Sequence, residues 1–327
     1  MTNPTGAQLI ALDWGTTSCR AYLLGDGGVV LAEMREPSGI MEVTARASVA
    51  GTPLEVVYEQ TFMGLCGEWL ARQPRLPVIA CGMVGSNKGW AETEYRPVPT
   101  DLAAPAELTP VLTRDGVTVH IIPGVNLNSS SLPDAMRGEE TQILGILTKD
   151  TRGGLLDNHP DCIVLLPGTH SKWVRMTGTT IIDFTTYMTG EFYALLTKGS
   201  ILSRLLIRAD QSDWEAFDRG LEVAASPSGR GGILTTAFSA RTLVITCELA
   251  PNQVEDYLSG LLIGHELAGI FSSWLDDTPE TIILCGDPDL NERYRRAIER
   301  LGVPVTIAIA NSAPFGMWNV ARATGLV

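Results

Sequence analysis

Short apolar runs broken by glycine turns fill the first part of the chain. Residues 9–14 and 19–24 are apolar runs around "GTTS", which predicts two strands joined by a turn. "GGVVLAEMRE" follows the turn "GDGG" and predicts a third strand. From 53 to 71 the apolar residues recur at helical spacing. "LPVIACGMVGSNKGW" predicts a buried strand that enters a glycine-broken loop, and "VTVHIIPG" another strand. "LPDAMRGEETQILGIL" predicts a helix that begins near Pro133. A polar strip at 148–162, rich in Gly and Asp, is the expected divide between domains 1–147 and 148–327.

The pattern then restarts. "CIVLLPG", "KWVRMTG" and "TTIIDFTTYM" predict three strands, and helices are expected at 190–199, 212–225 and 252–275. "TIILCG" and "VPVTIAIA" predict strands, and "LNERYRRAIERLG" and "FGMWNVARATG" predict helices. The closing helix has the option of packing back on the first domain. Strands alternating with helices make an α/β protein of two domains.

Composition narrows the function. The 327 residues are 45% hydrophobic and 19% charged, as in a packed globular protein. The net charge of −13 repels phosphate backbones and argues against a nucleic-acid partner. No apolar stretch is long enough for a membrane span, and "MTNPTGAQ" has no basic, apolar leader. Six scattered cysteines without a C-x-x-C pair are expected to be buried and reduced, which suits a cytoplasmic protein.

One phrase occurs twice. With Leu12 aligned to Leu165, Gly15 meets Gly168, Thr16 meets Thr169 and Ser18 meets Ser171. A hairpin tip of this kind presents backbone N–H groups and hydroxyls together, a cradle for phosphate oxygens. Two cradles, one per domain, suit a cleft that closes on a nucleotide. Asp13 ends a buried strand, a costly place for a charge unless it meets a cation. Magnesium carried by the nucleotide, held through water, would supply that charge. Thr17 belongs to the first tip, and Arg20 and Lys172 can offset phosphate charge. His170, inside the second tip, can donate to phosphate. There is no G-x-x-x-x-G-K-[ST] loop, no G-x-G-x-x-G after the first strand and no H-E-x-x-H.

"DWGTTSCR" resembles the first phosphate motif of the superfamily of sugar kinases, actin and heat-shock chaperones. "PGTHSKW" stands where that superfamily keeps its second. "ILCGDPDLNERY" is similar to its adenosine motif, which implies nucleotide contacts at Gly286 and Asp287. "MRGEETQILG" and "SAPFGMWNVARA" resemble its two connecting helices. The resemblance implies a two-domain, actin-like ATPase fold of the ribonuclease H-like kind with an interdomain cleft. Six phrases in order ("IALDWGTTSCRAYLL", "CGMVGSNKGW", "MRGEETQILG", "LPGTHSKWV", "DFTTYMTGEFYALL" and "YLSGLLIGHELAG") resemble the 2-dehydro-3-deoxygalactonokinase family. That family implies transfer of the ATP γ-phosphoryl group to the 6-hydroxyl of 2-dehydro-3-deoxy-D-galactonate, in D-galactonate breakdown. The chain departs from the superfamily at Leu166, which stands where the first copy has Asp13, so the metal-side acid is expected to be single.

Phosphoryl transfer needs positioning, charge neutralisation and a base for the hydroxyl. Glu139 and Glu140 lie on the helix expected between the domains, with Asp183 and Glu191 as rival acids. Adjacent helical residues point about 100° apart, so one of the pair is expected to face inward. In "GMVGSNKGW", Gly85, Ser86 and Asn87 suit a carboxylate and sugar hydroxyls, and Trp90 can cover an apolar sugar face. Arg137 is a candidate for the substrate carboxylate. The reading is an ATP- and magnesium-dependent kinase of a small acidic keto-sugar; a homodimer is compatible with it. A polyphosphate or nucleotide phosphohydrolase and a non-enzymatic actin-like switch are the alternatives.

Overall fold

The computed structural model describes residues 6–128, 132–149, 161–274, 281–307 and 311–327. The chain divides into two compact units, Met1–Pro160 with Arg175–Phe184 and Asn311–Val327, and Asp161–Val174 with Thr185–Ala310. The polar strip expected to divide the domains falls mostly at 150–160, outside the described residues.

The first unit is built on strands β1 (Leu9–Trp14), β2 (Cys19–Leu24), β3 (Val30–Glu36), β4 (Val78–Cys81), β7 (Thr109–Leu112) and β8 (Thr118–Ile121). Their order is β3-β2-β1-β4-β8-β7. β1 pairs antiparallel with β2 and parallel with β4, which pairs parallel with β8. As the inner strand β1 is apolar almost throughout, the pattern of a strand covered on both faces. Helices α1 (Ile40–Ala50) and α2 (Leu54–Arg72) follow β3. Tyr58 and Phe62 of α2 pack with Ile10, Leu12 and Trp14 in the core. A smaller sheet, β10 (Asp134–Met136), β9 (Gly124–Leu127) and β5 (Tyr95–Pro97), leads into α3 (Glu139–Lys149). The closing helix α10 (Ala313–Ala323) packs on α3, where Asn319 Nδ2 donates to Thr148 Oγ1 at 2.9 Å.

Two expectations change here. The helix predicted from Pro133 starts at Glu139, because Asp134–Met136 pair with β9 and Gly138 then turns at φ +111°. Arg137 therefore precedes the helix. Helix α1 was not expected at all.

The second unit repeats the plan. Its strands are β11 (Asp161–Leu166), β12 (Ser171–Thr177), β13 (Thr180–Tyr187), β14 (Ile282–Leu284) and β15 (Val305–Ile307), in the order β13-β12-β11-β14-β15. This is the order β3-β2-β1-β4-β8 of the first unit. β11 pairs parallel with β14, and β14 with β15. The distal part of the β12–β13 hairpin groups with the first unit, where Thr180 and Ile181 pair with β6 (Thr100–Asp101). The helices are α4 (Thr189–Gly199), α5 (Trp214–Ala225), α6 (Ile233–Thr236), α7 (Ser239–Ile245), α8 (Val254–Ser273) and α9 (Pro288–Glu299). Phe217 of α5, Ile263 of α8 and Tyr294 of α9 bury Ile163, Leu165 and Trp173 of the sheet. The strand expected over "VPVTIAIA" is described only to Ile307, since 308–310 lie outside the described residues.

The duplicated topology is that of the actin-like, ribonuclease H-like ATPase fold. Five of the six cysteines are buried, as expected. Cys247 is exposed, because the chain turns there at φ +59° just after α7 ends. No helix among the described residues is long and apolar enough to cross a membrane.

Candidate active site at two matching glycine turns

The repeated phrase forms the tip of a hairpin in each unit. In the first, Gly15 N donates to Ser18 O at 3.0 Å, with Thr16 and Thr17 exposed. In the second, Gly168 through His170 form the tip, with Thr169 and His170 exposed. A Cβ at Gly168 would meet nothing within 4 Å, so there is open space above this turn.

Each tip is braced by the helix that follows the third strand. Ile40 N and Met41 N of α1 donate to Gly15 O and Thr16 O at 3.1 and 3.2 Å. In the second unit, Glu191 N of α4 donates to Thr169 O at 2.9 Å. Both junctions need a glycine. A Cβ on Gly39 would lie 2.3 Å from Thr16 O, and one on Gly190 2.3 Å from Gly168 O. The repeat thus extends beyond the turn to the helix start, a correspondence that sequence reasoning missed. Its trace is the glycine in "PSGI" and again in "MTGE".

The surroundings of the two turns differ. Asp13, partly buried, sits opposite Arg20 across the β1–β2 hairpin. Burial raises its pKa, opposed by Arg20 and reinforced by Glu139. Glu139 is partly exposed, and its Oε2 accepts from Arg137 N at 3.1 Å. Glu140 is 4% exposed and spends both oxygens locally. Its Oε2 accepts from Gly138 N at 2.7 Å and its Oε1 from Thr141 Oγ1 at 2.9 Å. Burial, helped by the Glu139 charge, pushes its carboxyl up to about 7. Asp13, Glu139 and Glu140 therefore share one corner of the first unit, and of the adjacent helical pair Glu140 faces inward.

In the second unit Leu166 takes the place of Asp13 and is buried. Lys172 is 4% exposed and its Nζ donates to His170 O at 3.4 Å, so this cation is buried against the backbone of the turn. His170 pairs with Glu191 through Nε2 at 2.6 Å. Asp287 caps α9, its Oδ1 accepting from Asp289 N at 3.0 Å, and Gly286 packs against Pro167 and Asn291. Beside the turn lies a cavity of about 330 Å³, lined among others by Gly168, Thr169, Tyr193, Leu262, Leu290 and Arg293. Its mainly apolar wall suits the flat face of a base.

The loop after β4 separates its candidates. Arg137 is buried; it donates through Nη1 to Thr93 Oγ1 and through Nη2 to Thr93 O at 3.0 Å, and stacks 4.2 Å over the Tyr95 ring. These contacts tie it to the loop and leave its Nε without a hydrogen-bond partner among the described residues. Gly85 is packed against that guanidinium. Trp90 stacks on Tyr58 and touches Phe62 and Trp14, so most of its ring belongs to an aromatic cluster. Ser86 keeps the stronger case for a ligand: it is 8% exposed and its Oγ has no hydrogen-bond partner among the described residues. Asn87 is exposed beside it. Asp183 is engaged locally, its Oδ1 accepting from Phe184 N at 2.9 Å.

Two copies of one sheet, each ending in a helix-braced Gly-Thr turn, with acids gathered beside the first, define a phosphotransferase of the sugar-kinase class. The family model of 2-keto-3-deoxy-galactonokinase matches residues 13–320. The 2-dehydro-3-deoxygalactonokinase of Escherichia coli (strain K12) is 33% identical over 319 residues, covering 97% of this chain and 98% of that protein. The probable 2-dehydro-3-deoxygalactonokinase of Rhizobium meliloti (strain 1021) is 32% identical, covering 94% of each. A crystal structure of a Sinorhizobium meliloti protein assigned to that activity superposes with a TM-score of 0.79 at 29% identity, over 96% of this chain and 98% of the other. The chain belongs to the 2-keto-3-deoxy-galactonokinase family and is a kinase.

Proposed function

We propose that the protein transfers the γ-phosphoryl group of ATP to the 6-hydroxyl of 2-dehydro-3-deoxy-D-galactonate, giving the 6-phosphate in D-galactonate degradation. The substrate follows from the two named relatives. The observation in this chain that carries the reading is the helix-braced Gly-Thr turn, present twice with acids beside one copy only. Backbone N–H groups and threonine hydroxyls at each turn suit phosphate oxygens. The apolar cavity beside Gly168 suits the base.

Catalysis of this kind is mostly positioning and charge neutralisation. Among the described residues no group of three or more His, Cys, Asp or Glu forms a metal site. One carboxylate is enough for magnesium that arrives on phosphates with its waters, and the desolvated Asp13 fits that part. There the ion would neutralise phosphate charge. Glu139, the more accessible of the helical pair, is the group we assign to accept the hydroxyl proton. Glu140 holds the Gly138 turn. Ser86 and Asn87 are assigned to the polar side of the keto-sugar. Five buried cysteines that form no disulfide fit a cytoplasmic setting.

The test is ADP release with ATP and magnesium in the presence of 2-dehydro-3-deoxygalactonate, its gluconate epimer, other sugars or none. The reading expects release that depends on the galactonate compound. Equal release without sugar would point to a phosphohydrolase and overturn it.

A further inference from the structure

Glu266 on α8 is 2% exposed. A lone carboxylate at such depth is costly unless donors surround it. Here they do. Trp173 Nε1 donates to Oε1 at 2.6 Å, the Tyr294 hydroxyl donates to Oε2 at 2.7 Å, and the Thr189 hydroxyl donates to Oε2 as well. The Tyr294 hydroxyl also lies 2.9 Å from Ser171 Oγ. Since the tyrosine proton is given to Glu266, its oxygen accepts, and Ser171 is the donor of that bond.

These partners come from three separate segments. Ser171 and Trp173 open β12, directly after the second glycine turn. Thr189 begins α4, next to the Gly190 that touches the turn. Tyr294 lies on α9, the helix after Gly286. Thr189 and Tyr294 also line the cavity beside Gly168 and Thr169. One buried carboxylate thus joins the turn, the helix that braces it and the cavity wall. Among the described residues no such arrangement surrounds Ser18 at the first turn, where it is partly exposed.

We propose that Glu266 is a positioning residue for the nucleotide: it holds the second glycine turn and the adjoining cavity wall in one arrangement through Ser171, Thr189, Trp173 and Tyr294. It touches no substrate itself. The inference rests on the reading that this turn receives ATP phosphates.

Three variants test it. Glu266→Gln keeps an oxygen for Trp173, while the two hydroxyls can reverse to accept from its amide. Tyr294→Phe removes the hydroxyl that joins Glu266 to Ser171, and so takes one of the three donors from the carboxylate. Gly168→Val fills the open space above the turn and tests the parent reading. For Glu266→Gln the expected result is a KM for ATP raised about tenfold, the worth of one charge-assisted hydrogen bond. The KM for the keto-sugar stays within about twofold, with ligand-free unfolding within a few degrees of the parent. Tyr294→Phe moves the same way by a smaller factor. If Gly168→Val raises the ATP KM but Glu266→Gln and Tyr294→Phe do not, or raise both KM values together, the positioning role is overturned and the parent reading stands. If Gly168→Val leaves the ATP KM unchanged, the phosphate placement falls and the inference with it.

Discussion

The two glycine turns share a backbone and differ in what surrounds them. Each sits at the tip of the first hairpin of a sheet with the same strand order, and each is braced by a helix that approaches through a glycine. The first turn has Asp13 at its base, with Glu139 and Glu140 in the same corner. The second has Leu166 there, and its carboxylate, Glu266, lies deeper behind the turn, enclosed by four side chains. Duplication supplied the cradle; the side chains then divided the labour. An acid with access to solvent can meet a metal or a proton. A fully enclosed acid can only hold other groups in place.

The comparison breaks first at Asp13. Asp13→Asn should lower kcat on the order of a hundred- to a thousandfold, as loss of a preorganised charge does, whereas Leu166→Asp should bring no gain; steady-state ADP release measures both. A smaller difference lies in pH. Burial pushes the Glu140 carboxyl in the folded protein up to about 7 from its ordinary value of 4.5. Its folded form therefore favours the proton, so its contribution to stability is full below 4.5 and is lost as pH rises through 7. Urea unfolding of the parent should lose on the order of 3 kcal/mol relative to Glu140→Gln over that window. An equal slope in both proteins would refute the assignment. The matching glycines come next. Gly39→Ala and Gly190→Ala should each cost about 1–3 kcal/mol, because the added Cβ must displace backbone. A large effect at one site only would show that the braces are not equivalent. The smallest effect concerns α9, where Arg296 and Arg300 reach Asp218 of α5 at 2.6 and 2.9 Å. These arginines are more than a third exposed, so Asp218→Asn should cost under about 1 kcal/mol, less at high salt.

The sheets were legible because their inner strands are continuous apolar runs: β1 and β11 stand out from either side. The turn repeat was legible because glycine, threonine and serine recur at one spacing. Helix α1 was not, since only Ile40, Val43 and Ala47 are buried along it, too few for a clear period. The tie between Arg137 and its loop was not legible, because sequence cannot show that Thr93, forty-four residues away, bonds its guanidinium. The same limit hid Glu266. In "GHELAG" it looks like one polar residue in an apolar helix, and its partners Trp173 and Tyr294 are 93 and 28 residues distant. Lys172 looked like a phosphate partner from its place in the phrase, yet β12 is buried on both faces here and Lys172 is 4% exposed, which its sequence neighbours do not reveal.

The division of labour between the turns is tested most directly by titrating ADP, without magnesium, into Asp13→Asn and Gly168→Val and measuring turnover of the same samples. The account predicts that Asp13→Asn binds ADP as the parent does but has lost turnover, while Gly168→Val has lost ADP affinity. Equal loss of ADP binding in both proteins, or normal binding by Gly168→Val, would contradict it.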